Sequence, residues 1–218
     1  MASAITLLNS GGRHAVTTRA VADAAGMQAP TLYRLFGDMS GLFDAVADQG
    51  FSTYLQGKKF RKAGEDRVED LRAGWLLHVD FGLTHPEIYK LMYCDPRPGA
   101  QSPAAANSRR ILKEHIRRAA VAGRLRVSEE RAADLVHASG CGTVLTLLSM
   151  PEESRDVGMA KITRDAIITA ITTESLTRNP PVPAAAAIAL RAVLPEAISL
   201  SGSERALLVE WLERLAQD

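Results

Sequence analysis

Apolar residues recur at three- and four-residue spacing along most of the chain, and no stretch sustains the two-residue alternation of a half-buried strand. That period predicts helices near 2–10, 18–25, 29–36, 39–56, 65–84, 86–93, 104–122, 128–150, 156–177, 184–195 and 203–216. Breakers separate them. Gly11-Gly12 ends the first segment, Gly26 interrupts the next, and Gly37-Asp38 closes a third. Residues 96–103 read as a loop, Pro151 with two glutamates as a turn, and Asn179-Pro-Pro-Val-Pro as a linker. Start signals agree with the period: Thr17 and Thr18, Ser40, Ser128 ahead of Glu129 and Glu130, and Ser201 or Ser203 with Glu204. Pro30 sits near a first turn, where its missing N–H costs nothing. The chain reads as all-α, with no internal repeat.

Composition narrows the class without naming a partner. Of 218 residues, 46% are apolar and 23% charged, which suits one or two folded domains rather than disorder. No apolar run approaches the roughly 20 residues of a membrane span, and the N-terminus lacks the basic and apolar regions of a secretory signal. A cytoplasmic location without membrane attachment is the expectation. Cys94 and Cys141 cannot build a disulfide framework or an all-cysteine zinc site. The net charge of +1 predicts no nucleic-acid partner, but residues 1–62 carry +3 and the remainder −2. A mildly basic head on a mildly acidic body suits a DNA-binding head.

The informative stretch is Thr17 to Phe36, TTRAVADAAGMQAPTLYRLF. It reads as two eight-residue helices joined by a turn centred on Gly26. Helices this short barely form alone, so they must pack together, through Ala20, Val21, Ala24, Leu32 and Phe36. Gln28, Thr31 and Arg34 then point outward with Tyr33 nearby, side chains able to bond base edges or phosphates. The residues alone leave two readings open: a tight αα-hairpin with a polar face, or a helix-turn-helix whose second helix fits a major groove.

The run Thr-Thr-Arg-Ala-Val-Ala-Asp-Ala-Ala-Gly-Met, then Ala-Pro-Thr-Leu-Tyr-Arg-Leu-Phe-Gly-Asp and Leu42-Phe43-Asp44-Ala45-Val46, resembles the TetR family of transcriptional regulators. The strongest match covers residues 13–48, about a sixth of the chain. The resemblance implies a three-helix helix-turn-helix domain over 1–57 and a helical effector-binding and dimerisation domain over 58–218. It implies a double-stranded DNA operator, a small-molecule effector, a homodimer, and no cofactor. By position, Thr17 and Thr18 match phosphate contacts at a positive helix end. Gln28, Ala29 and Thr31 match base-facing positions, Tyr33 a phosphate contact, and Arg34 a base or phosphate contact. Three departures stand out. Met39 occupies the place of a phosphate-binding lysine, and Leu35 that of a residue often polar in the family. Both changes predict weaker non-specific binding and a shallower salt dependence. The first helix, from Ala2 to Ser10, is short, with Ile5, Leu8 and Ala4 as its packing face, so the native chain is expected to begin upstream.

Beyond residue 65 no catalytic or metal motif is found. His78 and His85 lie too far apart along a helix to share a metal, and Ser139-Gly140-Cys141-Gly142 has no strand before it to form a nucleophile turn. The resemblance implies an effector cavity, for which Trp75, His78, Val79, Tyr89, Tyr93, Cys94, His137 and Cys141 are the candidate lining. Such a lining suits an apolar or aromatic effector with one or two polar groups. Helices 128–150 and 156–177 carry the stripes Leu135, Val136, Leu145, Leu148 and Ile162, Ala166, Ile167, Ala170, fit for a four-helix bundle between two copies, with Ala138, Gly140 and Gly142 allowing close approach. The expected function is a ligand-responsive regulator, a repressor on a palindromic operator. The alternatives are a dimeric binding module without DNA binding, or a helical enzyme.

Overall fold

The computed structural model describes residues 1–57, 66–94, 101–173, 183–196 and 199–216. The described chain forms α1 (Ala2–Ala15), α2 (Thr18–Ala25), α3 (Ala29–Phe36), α4 (Met39–Gly57), α5 (Arg67–Thr84), α6 (Pro86–Tyr93), α7 (Pro103–Val121), α8 (Glu129–Ser149), α9 (Val157–Ile171), α10 (Pro183–Val193) and α11 (Gly202–Leu215). Among the described residues the one extended pairing is an antiparallel bridge between Leu125 and Thr172. The fold is all-α, as the period predicts. Most of the predicted loop at 96–103 and linker at 179–183 lies outside the described residues, as do Lys58, Lys59, Arg61 and Lys62 of the basic head.

Two compact units divide the chain: residues 1–60 with 80–108, and residues 61–79 with 109–218. Helices α5 and α7 contribute residues to both. In the first unit Leu8, Leu32, Leu42, Val46, Phe81 and Tyr89 are fully buried. Each such side chain is worth roughly 1.5–3 kcal/mol against exposure, which is what lets eight-residue helices persist. In the second unit, Ala132, Ala133, Val136, Val144 and Leu147 of α8 are buried, as are Ala160, Ile168 and Ile171 of α9. Helices α10 and α11 close over their own small cluster, where Leu200, Leu208 and Val209 pack on Ala187, Leu194 and Leu212.

Four sequence expectations are corrected. The first helix does not stop at Gly11-Gly12. Its path breaks at Gly12, at φ +66°, and a further helical turn continues to Ala15. Ala24 faces solvent and its carbonyl accepts the Ser3 hydroxyl at 3.2 Å, while Ala22 turns inward beside Val21. Asp38, not Ser40, caps α4, its carboxylate accepting the Gly41 N–H at 2.8 Å. Helix α9 ends at Ile171 rather than 177. There Thr172 becomes extended, the Ile171 carbonyl accepts the Arg126 N–H at 3.0 Å, and the Thr173 N–H donates to Arg124 at 3.0 Å. Two adjacent β-branched residues favour that extended path over another helical turn.

Candidate nucleic-acid interface and effector cluster

The turn between α2 and α3 is fixed at both ends. Thr17 caps α2 by accepting the Ala20 N–H at 3.1 Å. Gly26 takes the left-handed conformation at φ +62°, which glycine adopts without steric cost, and the Met27 N–H returns to the Ala22 carbonyl at 3.0 Å. Gln28 then precedes α3 in an extended conformation, with its side chain not spent on capping.

Buried Leu32 anchors α3. Gln28, Tyr33 and Arg34 are exposed, and Ala29 and Thr31 are half-buried. The Tyr33 hydroxyl lies 3.0 Å from Thr18 Oγ1, so two predicted phosphate contacts meet at the positive end of α2. At the start of α4 the Asp38 carboxylate already serves a backbone donor, beside half-buried Met39. Arg13 lies over the Phe43 ring, 4.7 Å from its centre, pinning α1 to α4.

The candidate effector residues fall into two groups. Trp75, His78, Val79, His137 and Cys141 belong to the second unit, and Tyr89, Tyr93 and Cys94 to the first. In the second unit α8 approaches α5 at Gly140: a Cβ there would stand 3.3 Å from His78 Cδ2 and 3.7 Å from Trp75. Gly140 therefore faces inward, whereas Ala138 and Gly142 are exposed. Burial, aided by nearby His137, pushes the His78 pKa down to about 4. Burial also lowers His137, with Arg109 lowering it further and Asp134 opposing. Cys141 Sγ lies 3.8 Å from His137 Nδ1. The Trp75 indole N–H is buried with no acceptor among the described residues. Four polar groups, those of Trp75, His78, His137 and Cys141, thus sit in or beside an apolar interior, and the Trp75 donor has no acceptor among the described residues.

In the first unit Tyr89 is fully buried and stands 4.6 Å from the Tyr93 ring centre. Cys94 is exposed at the end of α6, and desolvation of its thiol raises its pKa. The sequence reading missed a connected set here. Tyr54 of α4 donates to Asp80 of α5 at 2.8 Å, and its ring packs 4.9 Å from Phe81. Desolvation by burial, then the Asp80 bond, raises the Tyr54 pKa well above the ordinary phenol range. Phe81 in turn stacks on His85. The signal available in the sequence was the aromatic spacing of Phe81, His85 and Tyr89.

The close contact at Gly140 has a measurable consequence. An alanine there gains helix propensity of about 1 kcal/mol but must displace packed His78, and overpacking typically costs 1–3 kcal/mol, roughly the larger effect. Gly140→Ala is therefore expected to lower stability in urea melts. Gly74→Ala, in α5 with open space around its Cβ, is expected to raise it by about 1 kcal/mol.

Comparison with known proteins agrees with this geometry. Residues 1–46 match the family model for bacterial regulatory proteins of the tetR family. No curated protein matches the chain. A protein of unknown function from Rhodococcus sp. RHA1 is similar in structure, at TM-score 0.65 and 23% identity, over 79% of this chain and 92% of that one. A TetR variant from Acinetobacter baumannii AYE, solved in complex with minocycline, aligns at TM-score 0.58 and 19% identity, over 78% and 92%. A TetR-family transcriptional regulator from Haemophilus influenzae RD aligns at TM-score 0.53 and 19% identity, over 79% and 93%. Residues 1–46 thus match the tetR-family model, and the chain as a whole has the fold seen in a TetR-family transcriptional regulator.

Proposed function

We propose that this protein is a ligand-responsive transcriptional repressor that binds a palindromic operator as a homodimer and leaves it when a small apolar or aromatic effector binds the body. The observation that carries the reading is the exposed face of α3, presenting Gln28, Tyr33 and Arg34 beside the Thr17 cap of α2. Residues 1–57 serve as the DNA-binding head and 58–218 as the effector and dimerisation body. One such helix reads too few base pairs to be selective, so two copies must act together. Effector binding relieves repression only as far as the effector prefers the non-DNA state. Helix α5 is suited to carry that preference. It holds Trp75 and His78, and Tyr54 of α4 donates to its Asp80. An effector that offers an acceptor to the Trp75 N–H would satisfy a donor that has no partner among the described residues.

Tyr33→Phe and Arg34→Ala are each expected to weaken operator binding by roughly 1–3 kcal/mol if each side chain makes a direct contact. Titration of operator DNA with both variants checks this, and unchanged affinity in both would exclude this placement of α3. A second reading, a dimeric binding module without DNA binding, draws on Met39 and on the Asp38 carboxylate closing the start of α4, where a phosphate would need donors. Met39→Lys separates the two readings. In a DNA-binding dimer it adds one phosphate contact per half-site, steepening the slope of log affinity against log salt by about 0.9 per contact.

A further inference from the structure

Leu35 is an exposed apolar side chain of α3, with 59% of its surface in solvent. The other exposed side chains of that helix include Tyr33, whose hydroxyl meets Thr18, and Arg34. At 100° per residue, Thr31 and Leu35 stand four positions apart on one flank of α3, and Tyr33 lies on the opposite flank. A leucine cannot neutralise a phosphate. It can pack on the one apolar group that a base edge offers in the major groove, the C5-methyl of thymine. In B-DNA that methyl lines the major groove, within reach of a side chain on the flank of a helix seated there.

We infer that Leu35 is a specificity-determining residue that reads a thymine methyl in each operator half-site. The inference rests on the proposal that α3 enters the major groove. It also gives the departure at position 35 a positive role: electrostatic anchoring is exchanged for selection of one base.

The test uses the full chain and the footprinted segment of DNA flanking its own gene, with each thymine replaced in turn by deoxyuridine, which pairs alike but lacks the methyl. One thymine per half-site is expected to be sensitive. Its replacement should weaken binding about fourfold in one half-site and about fifteenfold in both, since a buried methyl is worth about 0.8 kcal/mol. In Leu35→Ala that position should lose its sensitivity while other positions keep theirs, and Leu35→Met should retain it. Replacing the same base pair with one carrying 5-methylcytosine should recover part of the affinity in wild type and none in Leu35→Ala. Wild type that binds this DNA with the same deoxyuridine profile as Leu35→Ala overturns the inference. So does sensitivity that vanishes in Thr31→Ser and survives in Leu35→Ala, which would assign the methyl to Thr31. Absence of any specific binding by wild type would instead overturn the DNA-binding reading on which the inference rests.

Discussion

Leu145→Glu is expected to separate the protein into monomers and to lower operator affinity on the order of 100-fold, with the helical content unchanged. The reason lies on the outer face of α8. Leu135, Ala138, Gly142 and Leu145 follow one another at three- and four-residue spacing, and all four are exposed, the two leucines at 39% and 36%. On α9, Ile162 is 72% exposed, with Ala166 and Ala170 also outward. Val136, Val144 and Leu147 meanwhile occupy the protein's own interior. The stripes therefore divide into a set that folds the chain and a set that a second copy would cover. Across a two-fold axis one substitution places two carboxylates in the same buried seam, where desolvation costs several kcal/mol per ion. At 1.4 kcal/mol per tenfold, about 3 kcal/mol corresponds to on the order of 100-fold. Leu145 does not support the monomer core, so sedimentation and operator titration should change while the far-ultraviolet spectrum does not. A monomeric variant that binds operator as tightly as wild type would show that two copies are not needed.

Acid should destabilise the protein through His78, by about 3 kcal/mol. Native His78 resists protonation until about pH 4, against 6.5 for an unperturbed imidazole. Below that ordinary value the unfolded chain takes up a proton that the native state excludes. Stability is therefore full above about pH 6.5, falls as the pH drops toward 4, and the loss is complete below it. The roughly 2.5-unit gap corresponds to about 3 kcal/mol at 1.36 kcal/mol per unit. Exposed carboxylates such as Asp134 and Asp165, held below their usual range by hydrogen bonds from Arg109 and Arg164, titrate mainly below this window. Urea melts from pH 7.5 to 4, in wild type and in His78→Gln, isolate the effect by subtraction. The variant should show a flatter profile across pH 6.5 to 4, and parallel profiles would place the acid sensitivity elsewhere.

Local features were legible in the sequence. Helices α2, α3 and α6 begin and end where period and breakers place them, because Thr17, Gly26 and Gly37 act on their immediate neighbours. Of the two caps the sequence offers for the last helix, Ser201 or Ser203, it is Ser201 that forms, in a capping box with Glu204. The exposure of Gln28, Tyr33 and Arg34 is equally local and follows from one short helix, whereas Ala29 and Thr31, also predicted as contacts, are half-buried. Errors arose where partners far along the chain decide the outcome. Gly140 reads in the sequence as a contact between two copies, but His78, 62 residues earlier, stands against it. The end of α9 depends on Leu125, 47 residues before Thr172, through the bridge. Tyr54 and Asp80 carry no mutual signal in sequence, since their bond spans 26 residues and two helices. Residue types could nominate His78, His137 and Cys141, and periodicity puts His78 on α5, but the periodicity of a single helix could not place it against α8.

The deciding measurement is a footprint of the chain on the DNA flanking its own gene, at two salt concentrations. A dimeric regulator predicts protection with two-fold symmetry, half-sites about one helical turn apart or a multiple of it, and affinity that falls as salt rises. Protection without symmetry, or none at either salt concentration, would contradict a dimeric DNA-binding regulator.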